Sequence, residues 1–173
     1  MRALADADRI QRLMRAIGRE ASASARIFFT GGATAVLLGW RETTIDVDIK
    51  IVPEQDAILR AIAVLKDSLS VNVELASPDD FIPVPEGWSD RSPFVATEGP
   101  VSFHHFDLYS QALAKIERGH TQDLDDVQSM LAAGLIERTR LGTYFRMIAP
   151  NLYRYPAIDA ASFTRAVEAI VGS

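Results

Sequence analysis

Cysteine is absent from this 173-residue chain. That removes disulfides, thiol nucleophiles and zinc-thiolate centres, and it fits a reducing compartment, so the expectation is a cytoplasmic protein. No apolar run approaches the roughly twenty residues of a membrane span. The opening "MRALADADRIQRLMRAIGRE" lacks a continuous apolar stretch and a small-residue cleavage site, so it does not read as a secretory signal. Basic excess is missing too. A net charge of -5 argues against a broad nonspecific grip on nucleic acid, though not against a local contact. There is no internal repeat, low-complexity tract or flexible linker. Hydrophobic residues make up 48% of the chain, enough for a substantial core.

The stretch "RETTIDVDIKIV" (41–52) contains the strongest signal. Ile45, Val47, Ile49 and Ile51 fall two apart, as on the buried face of a strand, and Asp46 and Asp48 then share the opposite face. Pleat geometry puts the two acids roughly 6–7 Å apart. Asp is depleted in strands, and like charges on one pleat repel, so the pair needs a reason. "SVNVELA" (70–76) alternates in the same way, with Asn72 and Glu74 on its polar face. If these strands are neighbours, Asp46, Asp48 and Glu74 converge as oxygen ligands suited to Mg²⁺ or Mn²⁺. A solvated sheet face, continued by Lys50, is the plainer account of the same spacing.

The elements around it follow from periodicity. A helical stripe runs over 6–19 (Ile10, Leu13, Met14, Ile17), with Gly18 expected at its end. "RIFFT" (26–30) is a buried strand. Gly31-Gly32 follows and opens a helix, so free backbone N–H groups gather at a turn, with the Thr34 hydroxyl nearby. "PEQDAILRAIAVLKDSL" reads as a helix opened by Pro53. Residues 77–93 are proline-rich and read as a long surface loop carrying Phe81 and Trp88, packed by its own aromatics. "FVATEG" and "VSFHHFD" form a hairpin, on which adjacent His104 and His105 face opposite ways. Helices over about 107–118, 122–133, 136–148 and 159–171 complete the chain. The fold class expected is mixed α/β: a sheet core with helices packed on it (1–107), followed by a C-terminal helical region (108–173). The last helix, "FTRAVEAIVG", is amphipathic and suits a core cover or a homodimer contact.

Three observations together (the glycine pair at 31–32, the "DVDI" strand at 46–49 and a third acid on a later strand) resemble the signature of the DNA polymerase β-type nucleotidyltransferase superfamily. "NVELASPDDFIPVPEGWSDRSPF" and "DLYSQALAKIERGHTQDLDDV" resemble a small bacterial branch related to AbiEii-type nucleotidyltransferase toxins. The resemblance covers most of the chain. It implies a nucleotidyltransferase-like fold and transfer of a nucleoside monophosphate from an NTP to a hydroxyl, with release of pyrophosphate. It implies Asp46 and Asp48 as metal ligands and Glu74 as the third acid, with Asp107 as a rival. Gly31 and Gly32 would hold the triphosphate with Thr34, Lys115 and Arg118. Asp126 would orient Lys115 or Arg118, while Asp123 and Asp125 read as helix-start residues. Gln122 departs from the pattern, standing where those toxins commonly carry Arg. The acceptor is an RNA 3′ end such as that of a tRNA, a protein or a small molecule, and the setting is a toxin–antitoxin or phage-defence pair. The competing reading is a non-catalytic binding module that keeps the fold and pairs with a cognate partner protein.

Overall fold

A computed structural model describes residues 3–173 of the chain. The chain divides into two compact units: Met1–Ser77 with Ser92–Phe106, and Pro78–Arg91 with Asp107–Ser173.

The first unit is a five-stranded mixed sheet backed by three helices. Its strands are β1 (Ala25–Thr30), β2 (Asp46–Val52), β3 (Asn72–Leu75), β4 (Phe94–Glu98) and β5 (Val101–His105), in the order β3-β2-β1-β5-β4. β1 runs antiparallel to β2 and parallel to β5, β2 runs parallel to β3, and β4–β5 is the expected hairpin. The helices are α1 (Ala7–Glu20), α2 (Gly32–Leu38) and α3 (Asp56–Ser68). The period-2 apolar set Ile27, Phe29, Val47, Ile49, Ile51, Val73 and Phe103 faces Ile10, Leu13, Met14 and Ile17 of α1 and Ile58 and Ile62 of α3 in one core. Asp46, Asp48 and Lys50 therefore look out from the other face.

Three of the boundaries that differ from the sequence reading do so for a local reason. α1 runs past Gly18 to Glu20, because Gly18 is a packing glycine. A Cβ there would lie 2.5 Å from the Glu98 carbonyl oxygen. α3 begins at Asp56 and not at Pro53, since Gln55 is extended and its amide is spent on the 22–24 turn, donating to Ala23 O at 2.7 Å and accepting from Ser22 N at 3.2 Å. Ile45 lies outside β2 and is 70% exposed, so only Val47, Ile49 and Ile51 carry the apolar alternation.

The second unit is helical: α4 (Trp88–Arg91), α5 (Leu108–Arg118), α6 (Thr121–Ala132), α7 (Arg138–Ile148) and α8 (Ala160–Val171). Leu113, Ile116, Val127, Met130, Leu141, Phe145 and Ile148 are buried, as are Phe163 and Val167 of α8. The Phe145 and Phe163 rings meet edge-on at 4.9 Å. Residues 78–91 hold their shape through Arg91, which reaches the carbonyls of Glu86 and Pro85 and the Asp107 carboxylate. Phe81, expected to anchor this segment, is exposed, while Ile82 is fully buried. Among the described residues no helix is long and apolar enough to cross a membrane.

Candidate nucleotide site

β2 and β3 are neighbours in register, with Asp46 opposite Asn72 and Asp48 opposite Glu74. The condition for the three acids to share one sheet region is met. An amide joins two of them. Asn72 Nδ2 donates to Asp46 Oδ1 at 2.6 Å and to Glu74 Oε1 at 3.1 Å. Two carboxylates held near each other repel, and a two-proton donor between them offsets that repulsion. Among the described residues no three His, Asp or Glu side chains form a ready-made metal cage.

The glycine turn lies against the same acids. Thr30, the last residue of β1, pairs with Asp48, so the chain leaves the sheet beside that carboxylate. Gly31 has φ 61 and ψ -130, a conformation that L side chains rarely adopt, and a Cβ on it would come 3.1 Å from Asp48 Oδ2. Gly32 is small for a different reason. Thr44 lies across it, in collision range of any added Cβ, and Arg41 Nη1 would be 3.2 Å away. Thr44 is fixed there by its own bonds, Oγ1 to Asp46 O at 2.9 Å and a two-way backbone bridge to Ala5.

Thr34 turns away from this turn. It is 1% exposed, donates to Phe29 O at 3.3 Å and lies 3.0 Å from His105 Nδ1. Its hydroxyl, expected to serve phosphate, is engaged inside the fold. His105 is buried, and burial, reinforced by the neighbouring His104, pulls its pKa down to about 4. His104 faces the other way, between Phe28 and Phe94.

In the second unit the late motif folds on itself. Lys115 Nζ donates to Asp126 Oδ2 at 2.7 Å and lies 3.9 Å from Asp123 Oδ1, with Lys115 only 7% exposed. Gln122, the departure noted above, donates to the other Asp126 oxygen at 3.3 Å. Arg118 donates to both oxygens of Asp123. Burial would raise the Asp123 carboxyl, but the Arg118 hydrogen bond and charge, with Lys115, bring it below its ordinary value. Asp126 thus pairs with Lys115, and both cations of the motif are engaged by carboxylates of their own unit. Asp107, the rival third acid, is the N-cap of α5. It accepts from Ser110 N at 3.2 Å and pairs with Arg91 at 3.1 Å, both within the second unit.

Sequence reasoning missed two residues. Asn72 was legible as part of the polar face of β3, but nothing in the spacing announced its two hydrogen bonds to Asp46 and Glu74. Arg41 comes back to the glycine turn only because the chain reverses after α2, at Gly39 in the left-handed region (φ 97).

No curated protein and no solved structure matches the chain. Residues 6–163 match the family described as "Nucleotidyltransferase of unknown function (DUF6036)", and a match over that span, with the glycine turn lying against an acid-x-acid strand, makes this chain a member of that nucleotidyltransferase family.

Proposed function

We propose that the protein transfers a nucleoside monophosphate from an NTP to an acceptor hydroxyl. The acceptor oxygen forms a bond to the α-phosphorus, the bond from that phosphorus to the bridging oxygen of the β-phosphate breaks, and pyrophosphate leaves. The acceptor proton passes to Glu74 or to solvent. The observation that carries this reading is that Asp48 Oδ2 lies 3.1 Å from where a Gly31 Cβ would be: the turn that would receive phosphate lies beside the carboxylate that would hold the counter-ion.

The donor set fits a divalent cation. Asp46 and Asp48 offer hard oxygen ligands from one strand face, and Glu74 stands opposite Asp48. A closed protein cage is not required, because Mg²⁺ characteristically takes one or two carboxylates and completes its shell with water and substrate phosphate. When bound, the metal would neutralise charge on the phosphates. The chain's own part is positioning: β2 and β3 fix the acids, Asn72 spaces Asp46 from Glu74, and Gly31 lets phosphate approach the backbone.

The likeness of the 107–127 segment to AbiEii-type toxins supports a toxin–antitoxin or phage-defence setting. The acidic balance favours a small acceptor or a single RNA end over an extended RNA footprint.

Thermal melting with Mg²⁺ and each of the four NTPs tests the reading on wild type and on Asp46→Ala/Asp48→Ala. A ligand at about 100 times its dissociation constant adds roughly 2.7 kcal/mol. The expected result is a metal-dependent NTP shift in wild type that the double variant lacks. Indifference of both proteins to every NTP would leave the non-catalytic partner-binding reading in its place.

A further inference from the structure

A triphosphate needs positive charge at the turn, and the cations of the late motif are held by Asp123 and Asp126. The first unit supplies another. After α2 the N–H groups of Gly39, Trp40 and Arg41 all point to the Ala35 carbonyl, at 3.0, 3.1 and 3.3 Å, so the chain doubles back along the helix. The returning segment crosses Gly32. There the Arg41 guanidinium comes within 3.2 Å of the position a Gly32 Cβ would take, while a Cβ on the preceding glycine would lie 3.1 Å from Asp48 Oδ2. A side chain on either of these consecutive glycines would thus meet a charged group, the Arg41 guanidinium at Gly32 and the Asp48 carboxylate at Gly31. The segment is braced: Thr44 bonds to Asp46 O and, through the two-way bridge, to Ala5.

We propose that Arg41 binds the phosphate oxygens of the NTP triphosphate over Gly32, as a nucleotide-binding residue of the site described above. The inference rests on the nucleotidyltransferase reading and extends it. A guanidinium offers a planar fork of donors that matches two phosphate oxygens at once, which a lysine ammonium does not. Beside the glycine turn it counters charge where pyrophosphate departs, while the acids serve the metal side. Lys50, two residues beyond Asp48 on the same face of β2, is the rival cation of this unit.

The test uses the full chain as wild type, Arg41→Gln, Arg41→Lys and Lys50→Gln. The probes are each NTP, its parent nucleoside and inorganic tripolyphosphate, all with Mg²⁺, read by calorimetry. Mn²⁺ binding without nucleotide is followed separately by paramagnetic resonance. Loss of a charge-assisted contact predicts that Arg41→Gln weakens both NTP and tripolyphosphate about ten-fold or more. Mn²⁺ binding and any nucleoside binding stay as in wild type. Arg41→Lys recovers part of the loss, and Lys50→Gln retains tripolyphosphate binding. The proposal is overturned if Arg41→Gln and Arg41→Lys bind tripolyphosphate like wild type, or if the loss follows Lys50→Gln. A folded wild type that binds neither NTP nor tripolyphosphate overturns the underlying reading as well, so the two failures are told apart on different proteins.

Discussion

Lys115 and Asp126 form a buried ion pair, 2.7 Å between Nζ and Oδ2, with side chains only 7% and 1% exposed. Eleven residues separate them, so the bond ties α5 to α6 across the Gly119 turn. Desolvating both charges is expensive, and removing one partner leaves the other buried and uncompensated. Asp126→Ala is expected to destabilise the protein by about 3–5 kcal/mol in urea denaturation, while Lys115→Met with Asp126→Leu recovers most of that loss. If Asp126→Ala costs almost nothing, Lys115 is not committed to the pair and regains its claim on phosphate.

The amide of Asn72 makes a second prediction, on metal linkage. It donates to Asp46 and Glu74 together. Asn72→Ala removes two charge-assisted bonds at a partly exposed site and lets the acids repel, a loss of about 1 kcal/mol at neutral pH. Millimolar Mg²⁺ should restore the melting temperature, and NaCl at equal ionic strength should restore less. Equal rescue by both salts would mean general screening and not a cation held by these acids.

His105 sets a pH dependence. Its folded pKa is about 4 against 6.5 for the ordinary imidazole, so between those values the unfolded chain binds the extra proton. Stability therefore rises with pH across this window, and falls as pH drops from about 6.5 towards 4, by a total of about 3 kcal/mol. His105→Asn keeps a polar group beside Thr34 and cannot titrate, so its stability curve should be flatter over the same range. Denaturation midpoints at half-unit pH steps, compared between the two proteins, decide this. Parallel curves would assign the slope to other groups.

The sheet was legible because its signals are local. Val47, Ile49 and Ile51 alternate with Asp46, Asp48 and Lys50, and a period of two needs no knowledge of neighbours. That β2 and β3 lie side by side was not legible, since register is decided by tertiary packing, yet the acids' usefulness depended on it. Gly18 was misjudged because a glycine chosen for close approach looks the same as one that stops a helix. The cations of the late motif show the same limit. Spacing puts Lys115 and Arg118 on one helix face, but only the fold shows that Asp126 and Asp123 meet them. Arg41 was hidden most thoroughly, because a chain reversal at Gly39 brings it back to a turn nine residues earlier in sequence.

The two glycines of the turn should fail for different reasons, which separates backbone from packing. Gly31 sits at φ 61 and ψ -130. Asn tolerates the left-handed well only near positive ψ, so Asn gives no relief here, and Gly31→Asn and Gly31→Ala should each cost about 1–3 kcal/mol. Gly32 carries no such strain, and its substitution fails against Thr44. Gly32→Ala should cost a similar amount through overpacking. Thr44→Ala in the same chain removes the nearer clash, leaves a Cβ at 2.7 Å and so returns only part of the loss. The discriminating measurement is the double-mutant cycle in urea. Thr44→Ala should couple to Gly32→Ala by more than about 0.5 kcal/mol and to Gly31→Ala by less. Equal coupling to both would mean that the segment over Gly32 constrains the whole turn, and that Arg41 is held in place through the backbone of Gly31 as much as through Gly32.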